Sequence, residues 1–229
     1  MQGITYKNQI LFIFATLIIV IAIFEFSNLD ILIQNYFYNF SNKEWIINRD
    51  NKLLKFFFYD GIKILLIALL ILIFLGLIFF RKNKLIQIYR NGFIIVLFSG
   101  ILIPCSIGIL KKITKTPCPK NISYYDGNHP YIKVFQKYPE LFKKRVNCWP
   151  AGHASVGFSF LSLFFLFKKT RNKLLSFIAA LIIGFIMGIY KMLIGDHFIS
   201  HTIITMIISW LVILIVASIT KKIFQNEKR

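Results

Sequence analysis

Acid is scarce in this chain. Its 229 residues carry 28 Lys and Arg against 9 Asp and Glu, a formal net charge of +19. Cysteine is scarcer still: Cys105, Cys118 and Cys148 are the only three. That number does not make a disulfide framework. No zinc-finger spacing and no solvated basic domain accompany the positive charge, so a nucleic-acid partner is not indicated. No A-x-A-like cleavage site follows the first apolar run, which therefore reads as an uncleaved span. Internal repeats, low-complexity tracts and linkers are missing too, so residues 1–229 read as one domain.

What fills the chain instead is apolar. Hydrophobic residues make up 57% of it, 25 are Phe, and the mean hydropathy is +0.67. This composition belongs to a membrane protein. Six apolar stretches stand out, at 9–26, 61–80, 92–110, 153–167, 174–194 and 202–220. Each is close to the roughly 20 residues that cross a bilayer as a helix, and in lipid the backbone must satisfy itself. The expected fold is all-α, a polytopic bundle of six transmembrane helices.

The connections alternate. Residues 81–91, 168–173 and 221–229 are short and strongly basic, and in a six-span chain all fall on one side. An excess of Lys and Arg marks that side as cytoplasmic, and acidic lipid head groups account for the charge. The other side holds segment 27–60, part of which reads as an interfacial amphipathic element, the loop 111–152, and the turn near 195–201.

To that second side four distant segments deliver histidine or lysine. Lys111 and Lys112 end the third span, His153 starts the fourth, Lys191 ends the fifth, and His197 and His201 start the sixth. Ionisable groups near the membrane are costly and tend to be functional. His197 and His201 stand four apart, so they share a helix face. Gly195 can end the preceding helix and let Lys191 fold back toward His197. In Pro150-Ala151-Gly152-His153, proline and glycine permit a sharp entry into a helix whose N-terminus favours an anion. Lysines that neutralise phosphate oxygens, one imidazole that attacks phosphorus and another that protonates the leaving oxygen make a phosphoryl-transfer site. Such a site needs no metal.

These residues resemble the signature of the type 2 phosphatidic acid phosphatases, integral membrane lipid phosphatases. Lys111, six intervening residues and Cys118-Pro119 stand where the family has lysine, six residues and arginine-proline. Pro150-Ala151-Gly152-His153 stands where it has proline-serine-glycine-histidine. Tyr190-Lys191, Gly195, His197 and His201 stand where it has serine-arginine, glycine, histidine and aspartate. The flanking sequence looks like a bacterial branch similar to lipid A phosphatases. The resemblance implies His197 as nucleophile, His153 as general acid and His201 as the group that orients His197. It also implies Lys111, Lys191 and the backbone of Ala151 and Gly152 as the phosphate cradle, and no cofactor. The implied substrate is a lipid phosphate of lipid A, isoprenoid diphosphate or phosphatidylglycerol phosphate type. The implied location is the bacterial inner membrane with the site facing the periplasm. Oligomeric state is not readable.

Five residues depart from the pattern, Cys118, Ala151, Tyr190, Lys191 and His201, and three of them stand where it has a charged group. Cys118 removes a bidentate guanidinium, and Lys191 is only a point charge. His201 lacks the fixed charge of aspartate but can accept a hydrogen bond when neutral. Lys112, Lys115 and Lys120 are the nearby cations that would compensate, or else a general basic surface. Other readings stay open: a lipid phosphotransferase, a metal site on His197 and His201 without the glutamate of HExxH, or a non-catalytic subunit that keeps the fold. Cys118 and Cys148 share the non-cytoplasmic loop. In an oxidising compartment they would pair and pin the Lys111 segment beside His153; otherwise they are two free thiols.

Overall fold

A computed structural model describes residues 5–137, 139 and 146–226. It is all-helical apart from one short hairpin. In chain order the elements are α1 (Tyr6–Phe26), α2 (Leu29–Gln34), β1 (Tyr38–Asn39), β2 (Glu44–Trp45), α3 (Lys52–Phe79), α4 (Lys84–Ile113), α5 (Gly152–Phe165), α6 (Thr170–Leu193) and α7 (Ile199–Asn226). Five of them, α1, α3, α4, α6 and α7, are long and apolar enough to cross a membrane.

The fourth apolar stretch forms the shorter α5. Its last six residues, Phe160–Phe165, wind as a 3₁₀ helix. A 3₁₀ turn rises faster per residue than an α-turn, so α5 reaches roughly 24 Å, near the ~30 Å hydrocarbon thickness. The expected basic connection at 81–91 is corrected: helix α4 already starts at Lys84, capped by the Asn83 side chain on Leu85 N (2.8 Å). The basic run is therefore largely helical rather than a connection. Residues 227–229 of the basic tail lie outside the described residues.

The bundle closes on α5, α6 and α7 through small residues. A Cβ on Gly157 would stand 2.7 Å from the Gly184 backbone, and one on Gly188 would stand 2.3 Å from Thr202. Helices that cannot gain from the hydrophobic effect in lipid associate by such close backbone approach. Phe158, Leu161, Ala180 and Ile213 fill the surrounding core. By contrast α1 buries no residue and presents Leu11, Phe12 and Ile18 outward, as a lipid-facing helix should.

The segment between α1 and α3 folds over one end of this bundle. Tyr38 pairs with Trp45 across the hairpin, and both rings join Tyr125 in an aromatic cluster. Ile47 N–H donates to Leu193 O (3.3 Å) and Gln34 Nε2 donates to Met192 O (2.9 Å). The buried Asp30 carboxylate takes the Ser200 N–H (3.0 Å) and hydroxyl (2.6 Å) at the start of α7. There it stabilises the helix N-terminus. These bonds fix the turn between α6 and α7.

Candidate active site

The turn Ile194–Phe198 is built on Gly195, whose φ of +71° is unfavourable for any residue with a Cβ. A Cβ there would also strike Trp45 at 2.3 Å. The reversal does what the sequence suggested: it folds the end of α6 back, so Lys191 Nζ donates to Asp196 Oδ2 (2.9 Å). Beyond it His197 and His201 are both 1% exposed, with their Nδ1 atoms 3.3 Å apart. His153, at the start of α5, brings its ring to 5.7 Å from that of His197. The three histidines expected to converge therefore do so.

Their free nitrogens are distinct. His197 Nε2 and His153 Nδ1 are buried without a hydrogen-bond partner. His201 meets His197 on one side and the backbone of Cys148 on the other. Burial, together with the neighbouring His201, His153 and lysine charges, holds His197 well below the ordinary histidine value, so it is neutral at pH 7.

Cations crowd one side of the histidines. Asp196 accepts from Lys191, from Lys120 (2.7 Å) and from Arg49 (2.9 Å). Burial alone would raise the Asp196 carboxyl, but the Lys120 and Lys191 bonds and charges outweigh it and hold it below the ordinary carboxylate value. Lys111, in the last turn of α4, feels the charges of Asp196, Lys191 and Lys120. Tyr59 closes the group, its ring 4.6 Å from His153 and 5.4 Å from Lys191 Nζ. Arg49, Asp196 and Tyr59 were not singled out from the sequence. Lys120 was one of three compensating candidates; Lys112 and Lys115 are exposed instead.

One expected phosphate donor is corrected. The Ala151 N–H points inward and donates to Thr205 Oγ1 (2.9 Å). The amides that begin α5 at Gly152 are the ones without a side-chain cap, as helix N-termini leave them.

Cys118 and Cys148 are joined by a disulfide, which resolves the two readings in favour of the bond. Cys148 N–H also donates to Thr116 O (2.9 Å), and the Thr114 hydroxyl bonds Trp149 O. The segment after Lys111 is thus tied beside His153. Cys105 is a free thiol on the outer face of α4. The sulfur of Cys148 and nitrogens of His197 and His201 lie within 4.8 Å of one another, a metal-like grouping. A disulfide sulfur is not a thiolate ligand, which leaves two imidazoles beside a lysine cluster. That donor set fits an anion better than a cation.

The model of the PAP2 superfamily matches residues 92–225, more than half of the chain. This protein belongs to the PAP2 superfamily. Within that match fall Lys111, His153, Lys191, His197 and His201, while Arg49 and Tyr59 lie before it. The chain is also 29% identical over 187 residues to the Lipid A 4'-phosphatase of Francisella tularensis subsp. novicida (strain U112), covering 78% of this chain and 80% of that one. No solved structure matches.

Proposed function

We propose that this PAP2 protein hydrolyses a lipid phosphate through a phosphohistidine on His197, without a metal ion. The observation that carries the reading is the pairing within the His197 ring: Nδ1 is engaged by His201 while Nε2 is buried and unpartnered. With its proton on Nδ1, neutral His197 directs a lone pair from Nε2 at phosphorus. The phosphorus–oxygen bond to the lipid breaks as the nitrogen–phosphorus bond forms, and His153 gives its proton to the departing oxygen. Water then attacks phosphorus, His153 takes a proton back, and orthophosphate leaves His197. Lys111, Lys191, Lys120 and the first amides of α5 neutralise the charge that builds on the phosphoryl oxygens. A dianion beside His153 also raises the proton affinity of that imidazole, as an acid requires.

A lipid A type phosphate is the substrate the likeness to the Francisella enzyme favours, ahead of an isoprenoid diphosphate or a phosphatidylglycerol phosphate. Six spans, with α5 as the fourth, put the site opposite the basic ends Lys168–Lys173 and Lys221–Lys222. By the positive-inside rule that is the non-cytoplasmic face, the periplasmic side of a bacterial inner membrane.

The test uses the full chain in detergent micelles with a panel of lipid phosphates, with and without EDTA, beside His197→Ala. Release that resists EDTA and vanishes in His197→Ala is expected. EDTA-sensitive release would transfer the chemistry to a metal, and no release from any lipid would overturn the proposal.

A further inference from the structure

The family pattern places a guanidinium where this chain has Cys118, and that sulfur is committed to a disulfide. Three cations nevertheless bond Asp196, Lys120, Lys191 and Arg49, and Lys111 lies within electrostatic reach of it. Lys120 and Lys191 are largely buried, whereas the Arg49 side chain is 54% exposed. Arg49 arrives from the loop after β2, whose position is set by Ile47 N–H on Leu193 O and by Trp45 packed on Gly195. With Lys120 it walls a groove of about 430 Å³, whose lining also includes Trp45 and Ile194. The only guanidinium bonded to the cation cluster therefore also faces open space, among the described residues.

One carboxylate cannot use what these groups offer. Each lysine has three N–H donors and the guanidinium five, and Asp196 takes one contact from each of Arg49, Lys120 and Lys191. In formal charge, four cations less one carboxylate leave +3 beside neutral histidines. Asp196 keeps the cations together, and the remaining donors and charge suit a phosphate dianion.

Building on the lipid-phosphatase reading above, we propose that Arg49 is a phosphate-binding residue. The first non-helical loop supplies it in place of the guanidinium missing at position 118. Its fork grips the phosphoryl group that His197 receives, and Asp196 orients it for that grip through their 2.9 Å contact.

The experiment uses orthophosphate as the probe, so the lipid head group plays no part. The wild type, Arg49→Gln, Arg49→Lys and the control Lys84→Gln, an exposed lysine at the start of α4 and so at the opposite end of that helix from Lys111, are purified as full chains. Thermal stabilisation by orthophosphate and its inhibition of lipid-phosphate hydrolysis are measured on each. Arg49→Gln should weaken orthophosphate roughly tenfold by both readouts and raise KM more than it lowers kcat. Arg49→Lys should restore charge but only part of the affinity, and Lys84→Gln should match the wild type. Equal stabilisation of wild type and Arg49→Gln, or none of either at millimolar phosphate, overturns the proposal. A wild type that binds phosphate yet hydrolyses no lipid breaks the phosphatase reading alone, because the stabilisation readout needs no turnover.

Discussion

His201 Nδ1 stands 3.3 Å from His197 Nδ1, and the His201 ring is bonded on its other side to the backbone of Cys148. Two imidazole nitrogens this close require one proton between them. With the His201 proton on Nε2, His201 Nδ1 would accept and His197 Nδ1 would donate. In that arrangement a neutral histidine would do the orienting that the family pattern gives to aspartate.

His201→Ala should therefore lower kcat about a hundredfold while leaving KM nearly unchanged, because His197 loses its tautomer and not its phosphate. His201→Asn, whose side-chain oxygen can accept the same hydrogen bond, should recover part of the rate. Steady-state phosphate release from the three proteins decides it; a wild-type kcat in His201→Ala would remove the orienting role.

The pH dependence follows from His197. Its proton affinity in the folded protein is depressed by burial and by the adjacent imidazoles and lysines. A depressed histidine stays neutral, hence nucleophilic, as pH falls through the ordinary value of about 6.5. The acid limb of kcat/KM should lie below that value. The linked stability has the same sign: present above the unfolded value and lost as pH falls below it. A pH–rate profile whose acid limb sits at or above 6.5 would contradict this environment.

The disulfide gives a prediction about stability and a count of thiols. Native protein should label on one cysteine, Cys105, and on three after unfolding in reductant. Closing a loop with a sequence separation of 30 is worth about 3–4 kcal/mol in the chain-entropy view. Cys118→Ala with Cys148→Ala should lower the melting temperature and lower activity further, since the Cys148 backbone also holds His201. Thermal melts and phosphate release measured on the same preparation separate the two effects.

Much of this architecture could be read from residue order. Five of the six apolar stretches fell on helices long enough to cross a membrane, because length and lipid solubility are local properties; the fourth formed the shorter α5. Lys111, His153, Lys191, His197 and His201 could be matched because their spacing along helix ends carries the geometry. Arg49 and Tyr59 could not, since segment 27–60 reaches the site through long-range contacts that spacing does not carry: Asp30 on Ser200, Gln34 on Met192 O, Ile47 on Leu193 O and Trp45 on Gly195. Asp196 sat in plain view between Gly195 and His197, yet its role appears only when Lys120 and Arg49 arrive from elsewhere. Ala151 misled for a related reason: the sequence places its amide at a helix start, but only packing shows that Thr205 takes it.

Gly157 lies directly against the Gly184 backbone where α5 and α6 cross, and Gly188 lies against the Thr202 side chain where α6 meets α7. Side chains can change rotamer to admit a shift, whereas touching backbones must part before they slide. His153, Lys191 and the two remaining histidines therefore ride on one stiff frame. Lys111, Lys120 and Arg49 come instead from the end of α4 and from loops, and what holds them to that frame is the Cys118–Cys148 bond and the contacts of Asp196, so tight helix packing and a set of polar and covalent ties each keep a different half of the cluster in place.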